Sequence, residues 1–195
     1  MLREQLLGSR ALLSSALALR QASSSSALAS AGSLLSSAPR PFGEGIVLLI
    51  NRVKGGGRPG EDQNDFRKRK AAITALLRRY ETEGQEVRGS KLRKEMEVKE
   101  FRDDDKELMG CIACTARLFN SASLIVGVHG AGLSNALFAR AGTVLIEAVG
   151  FGNPLCYMDL AFTLGLEYHR ISDYQVYNDV PKFAQTLGAV LAKGR

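Results

Sequence analysis

The sequence predicts an α/β fold, a doubly wound and mainly parallel sheet, on three observations. Five short strand-like segments, opening near residues 46, 96, 123, 143 and 166, are separated by stretches with helical periodicity. Several of them, such as Ile46-Val47-Leu48-Leu49-Ile50, are apolar at every position, the signature of a strand covered on both faces. Twenty Gly against five Pro provide tight turns between the elements.

The elements follow in order. The first strand, Ile46–Ile50, leads into a Gly-rich, charged loop from Asn51 to Asn64. Asp65 can cap a helix whose apolar residues Phe66, Ile73, Leu76, Leu77 and Tyr80 recur at helical spacing up to about Gly84. Met96 to Phe101 alternates as a strand does, and Asp103 to Asp105 supply a cap and an acidic first turn for a helix to about Phe119. Ser123–Val128 is a third strand, closed by the turn His129-Gly130-Ala131-Gly132 and a short helix from Leu133 to Ala139. Thr143–Glu147 is the fourth strand, Pro154–Leu164 a helix, Leu166–Ile171 a fifth strand, and Asp179-Val180-Pro181 opens a last helix with proline at a tolerated early position.

Ahead of this pattern, residues 1–42 form a low-complexity leader, and 43–195 the folded domain. Met1 to Arg40 is almost entirely Leu, Ser, Ala and Arg, with Glu4 its one acid. Such composition suits a disordered leader or an organelle transit peptide, with a secretory signal as the competitor. The apolar stretch Leu12–Leu19, bracketed by Arg10 and Arg20, is too short to cross a bilayer, so no transmembrane helix is expected. The chain carries a formal charge of +6 over 195 residues, which favours an anionic partner. Three cysteines exclude a disulfide-built scaffold, and the pair Cys111 and Cys114 reads as two small core-facing residues inside a helix.

Parallel sheets bind ligands beyond the carboxyl ends of their strands. That rule selects Asn51 and Arg52, Arg102 and Asp103, His129 to Gly132, Glu147, and Ser172-Asp173. The turn from His129 to Asn135 is the richest of them. Glycines 130 and 132 let backbone approach a ligand closely, and a helix start offers amide N–H groups to phosphate. The third glycine position of a dinucleotide fingerprint holds Asn135, which disfavours hydride chemistry. His129 suits ligand contact more than catalysis, and with no second His or Cys nearby no metal site is expected. Arg52 can fork onto a diphosphate. Glu147, ending its strand, can take the hydroxyls of a ribose. The cations from Lys54 to Lys70 read as a solvated loop and helix face.

The segment from Ser123 to Phe138, with Gly142 to Glu147 after it, resembles the C-terminal core of glycosyltransferase family 61. That family includes plant-type xylosyl- and arabinosyltransferases and animal O-linked N-acetylglucosaminyltransferases. Leu48 to Arg52 and Tyr157 to Tyr168 are similar to it as well, so the resemblance covers roughly residues 43 to 175. It implies a single Rossmann-like lobe of a GT-B fold that holds a nucleotide-sugar donor, a UDP-sugar. By position, Arg52 would contact the diphosphate, the turn His129, Gly130, Ala131, Gly132, Leu133 and Asn135 would line the donor pocket, and Glu147 would hold the ribose. It further implies inverting transfer to a glycan or glycoprotein acceptor, no required cofactor or metal, and the lumen of the secretory pathway or Golgi.

A complete GT-B enzyme has another lobe ahead of this one, so the expectation is a truncated chain or a single-lobe relative. Two readings from other classes stay open: a non-catalytic nucleotide- or phosphate-binding module, and a basic nucleic-acid-associated protein. The second is disfavoured because only Phe66 and Tyr80 flank the basic cluster.

Overall fold

The computed structural model describes residues 42–53, 63–84, 86–87, 90–91, 96–150, 155–172 and 179–192. Residues 1–41 of the expected leader, the cations Lys54 and Arg58, Pro154 and Asp173 lie outside them; Phe42, expected in the leader, is instead buried in the core. Strand β1 (Ile46–Asn51) is followed by helix α1 (Gln63–Thr82), a two-stranded hairpin of β2 (Glu86–Val87) and β3 (Ser90–Lys91), and β4 (Val98–Arg102). Then come α2 (Lys106–Gly110), α3 (Ile112–Asn120), β5 (Ala122–Val128), a 3-10 helix (Ala131–Phe138) and β6 (Val144–Val149). Helix α4 (Cys156–Leu164), β7 (Glu167–Ser172) and α5 (Val180–Ala192) complete the fold.

Five strands pair in parallel in the order β4-β1-β5-β6-β7. The chain runs outward from β1 to β4, then crosses back to β5 and proceeds outward through β6 and β7. Direction therefore reverses between β1 and β5, and such a reversal opens a crevice at the carboxyl ends of those two strands. The doubly wound parallel sheet expected from the sequence is present.

Both faces of the sheet are covered, which is why its central strands are continuously apolar. On one face Val47, Leu49, Leu124, Val126 and Ile146 pack beneath Phe66, Ile73 and Leu77 of α1 and Phe183 and Leu187 of α5. On the other, Leu48, Ile125 and Leu145 meet Phe119 of α3, Leu133 and Ala136 of the 3-10 helix, and Ala161 and Leu164 of α4. Each fully buried large side chain contributes about 1.5–3 kcal/mol by leaving water. Asp179 caps α5 by accepting from the Lys182 amide at 2.9 Å. Gly165 ends α4 in the left-handed conformation, at φ 67°, that favours glycine there.

Three expectations need correction. Arg69 is not solvated: it is 4% exposed, because it falls on the same inward stripe of α1 as Phe66 and Ile73. The helix expected from Asp103 to Phe119 is two helices, broken at Cys111, whose backbone is extended (φ −123°, ψ 91°). Cys111 and Cys114 are therefore not core residues; they form a disulfide at the start of α3, with Cys114 exposed. Asp105 caps α2 through bonds of 3.0 Å to the Glu107 and Leu108 amides, so the acidic cap itself is as expected.

Candidate functional site at the strand crossover

The crevice between β1 and β5 brings together residues 77 apart in sequence. Arg52, the first residue past β1, donates from Nη2 to the carbonyl of His129 at 2.6 Å. The guanidinium lies against Gly130: a Cβ there would stand 1.7 Å from Arg52 Nη2. Gly130 is needed for this approach and not for its backbone angle, since its φ of 165° is ordinary extended chain. Gly132 is similar, with Ile50 Cγ2 only 2.9 Å from where a Cβ would be.

The turn after β5 is fastened on its other side to β6. The His129 amide donates to Ala148 O at 2.7 Å, extending the parallel pairing by one residue. His129 Nδ1 is hydrogen-bonded to Glu147 Oε1, and Tyr168 of β7 donates its hydroxyl to Glu147 Oε2. Tyr157, in the first turn of α4, donates to Gly130 O at 2.6 Å and sits 3.3 Å from Ser134 Oγ. Its ring meets the His129 imidazole edge-on, with centroids 5.2 Å apart. With Nδ1 committed to Glu147, Nε2 is the remaining hydrogen-bonding atom of the imidazole, and the side chain is 26% exposed.

Glu147 does not end its strand. Strand β6 runs on to Val149, which leaves the carboxylate inside the sheet layer with no exposed surface. A buried carboxylate is tolerated only when paired and hydrogen-bonded, and His129 and Tyr168 supply those bonds. The geometry makes it a brace for the imidazole, and the expectation that it ends its strand is corrected, because the strand runs two residues further than expected.

Of the other expected site residues, Ala131 is exposed beside the crevice, whereas Leu133 is fully buried and anchors the turn in the core. Asn135 turns back to its own loop, donating to Gly132 O at 3.2 Å. Asn51 is buried and donates to Glu100 at 2.6 Å, while Arg102 is held by Asp104 through bonds of 2.9 and 3.0 Å. Asp103 accepts from the Val53 amide at 2.8 Å and so steadies the chain beside Arg52. Among the described residues, no three His, Cys, Asp or Glu side chains gather as a metal-binding group.

Sequence reasoning missed the roles of Tyr157 and Tyr168. Tyr168 reaches Glu147 because β7 pairs with β6 in a register that sets Tyr168 against Leu145, on the same face as Glu147 two residues later. That register is not visible in either segment alone. Burial, and then the bond to Glu147, hold the Tyr168 phenol well above its ordinary 10.0, and burial raises Tyr157 as well. A phenol raised in the folded state contributes stability that is intact below the unfolded value and is lost as pH climbs through the folded one. Thermal stability is therefore expected to decline above about pH 10, and Tyr168→Phe to flatten that decline in melts taken from pH 8 to 11.

Residues 44–146 match the model of the family described as Glycosyltransferase 61, a span that includes Arg52 and the turn from His129 to Asn135. The chain is also 26% identical over 129 residues to the EGF domain-specific O-linked N-acetylglucosamine transferase of Gallus gallus. The alignment takes in 66% of this chain but 23% of that protein, so the chain spans under a quarter of the length of this relative. With just over half of its residues inside the family match, including both sides of the crevice, the chain belongs to glycosyltransferase family 61.

Proposed function

We propose that the chain is the donor-binding lobe of a glycosyltransferase, one half of a GT-B architecture, and that its crevice takes a UDP-sugar. The single observation that carries this reading is the Arg52 guanidinium fixed across the mouth of the strand crossover by the His129 carbonyl. A guanidinium has five N–H donors, and one is enough for that anchor. The others remain available for a bidentate grip on a diphosphate. His129 meets the donor through Nε2, at a phosphate or sugar oxygen, while Glu147 sets the orientation of its ring from behind. Gly130, Ala131 and Gly132 form the near wall, and Leu133 and Asn135 hold that wall in shape.

The relative's name pairs N-acetylglucosamine with an EGF-domain acceptor, so UDP-N-acetylglucosamine is the first donor to test. The reading includes inverting, metal-independent transfer to a protein or glycan acceptor in the secretory lumen or Golgi. The Cys111–Cys114 disulfide supports an oxidising compartment.

Calorimetric titration with UDP and UDP-N-acetylglucosamine tests the proposal. The expected result is saturable uptake that EDTA leaves unchanged and Arg52→Ala weakens. Uptake without product formation on any acceptor would reduce the reading to a nucleotide-binding module. Steeply salt-dependent oligonucleotide binding with no UDP uptake would replace it by a nucleic-acid partner. Gly130→Ala offers a finer check, because the added methyl must push the guanidinium aside while the backbone keeps its conformation. Its UDP affinity is expected to fall roughly tenfold, equivalent to about 1.4 kcal/mol, with an unchanged melting temperature.

A further inference from the structure

We propose that Cys111 and Cys114 form a reversible thiol–disulfide exchange site, open to dithiols and independent of the sugar-nucleotide crevice. Three features of the structure point to it. The pair is spaced Cys-x-x-Cys and is joined in a disulfide at the surface, with Cys114 exposed and Cys111 half-buried. Its flanks are open: Met109 is 57% exposed and Ile112 78%. Finally, Cys111 is the N-cap of α3, and its Sγ accepts the Cys114 amide at 3.1 Å.

The cap position decides the direction of the chemistry. A thiolate at a helix N-terminus is stabilised by the free amides and the positive end of the helix dipole. The charged residues nearest the pair in sequence are Asp105, Lys106 and Glu107 before it and Arg117 after it, which balance in sign, so the argument for the thiolate rests on the helix amides. Cys111 is therefore the better leaving group, and Cys114 the sulfur that is attacked. One thiolate of the incoming dithiol attacks Cys114 Sγ, the bond to Cys111 breaks, and its electron pair leaves on Cys111 as thiolate. The second thiol of the reagent, deprotonated by solvent, then attacks the reagent's own sulfur in the mixed disulfide. Cys114 is released as a thiolate that takes a proton from water, the dithiol is oxidised to its cyclic disulfide, and the protein pair is reduced.

A bridge between residues only three apart closes a very small loop, so opening it releases little chain entropy. The fold is expected to survive reduction. Backbone bonds that hold the junction, Cys111 N–H to Leu108 O at 3.2 Å and Thr115 N–H to Cys111 O at 3.0 Å, do not involve sulfur. Neither does Thr115 Oγ1 to Leu108 O at 2.8 Å.

The test uses the full chain carrying Cys156→Ser, which removes the free, exposed third cysteine. Equilibration with graded mixtures of reduced and oxidised dithiothreitol, acid quenching and mass spectrometry should show a reversible change between disulfide and dithiol. Circular dichroism and melting cooperativity should be retained throughout. In Cys114→Ser/Cys156→Ser, the pH profile of iodoacetamide alkylation should place the Cys111 midpoint at least about one pH unit below that of the same chain in urea. Should that variant fail to fold, the same profile is read for Cys111 by peptide mapping of the reduced Cys156→Ser chain. A midpoint equal to or above the unfolded one, or loss of the fold on reduction, overturns the proposal.

Discussion

Replacing His129 with alanine is expected to destabilise the fold by about 3 kcal/mol, although the residue is a quarter exposed and lies on a turn. The reason is its partner. Glu147 has no exposed surface, and removing the imidazole leaves Oε1 facing a sheet interior with only the Tyr168 hydroxyl on the other oxygen. Truncating one member of a buried, hydrogen-bonded pair carries the desolvation cost of the group left behind. For a chain of this length the loss corresponds to a melting temperature lower by roughly 6–12 °C. Replacing both members with apolar groups removes the orphan, so His129→Ala combined with Glu147→Leu is expected to melt above the single His129→Ala variant. Equal or lower melting of the double variant would show that Glu147 does not depend on the imidazole.

Arg52→Ala is expected to weaken UDP binding at least about thirtyfold with little effect on melting. Hydrogen bonds to charged groups are worth about 1.5–3 kcal/mol each, and a bidentate grip on a diphosphate uses two. Arg52→Lys retains the charge but loses the planar fork, and is expected to fall between. Arg102 is the control. It ends the neighbouring strand, yet its guanidinium is already held by Asp104, and Arg102→Ala is expected to leave UDP uptake unchanged. Equal losses at the two arginines would mean that general positive charge, and not the crossover geometry, draws the ligand.

The apolar runs at 46–50 and 124–126 made the central strands legible in the sequence, because a strand buried on both faces has no polar positions to confuse its period. The carboxyl-end rule then led to Arg52 and His129 before any contact was known. What stayed hidden depended on registers between distant segments. Tyr168 sits in a mixed segment, and only its pairing with β6 turns it toward Glu147. Glu147 itself was found, but the two residues added to its strand changed it from a surface acid to an interior brace. Arg69 was hidden among Arg67, Lys68 and Lys70, and helical phase alone places it inward. The break at Cys111 was marked only by Gly110, the last residue of α2, and a single glycine inside a helical pattern does not by itself signal an end. The hairpin of β2 and β3 was missed because two residues per strand give no period to read.

The placement of β1 inside the sheet, second from its edge, governs how the chain reaches its native state. Its inner neighbour β5 begins at Ala122, some seventy residues downstream, whereas β4 on its outer side arrives earlier. During synthesis the apolar stretch from Ile46 to Ile50 must wait with one edge open until that later strand emerges. Slow elongation between the two is thus the stage at which nascent chains are most prone to associate with each other, and α1, folding locally over one face, is their first protection.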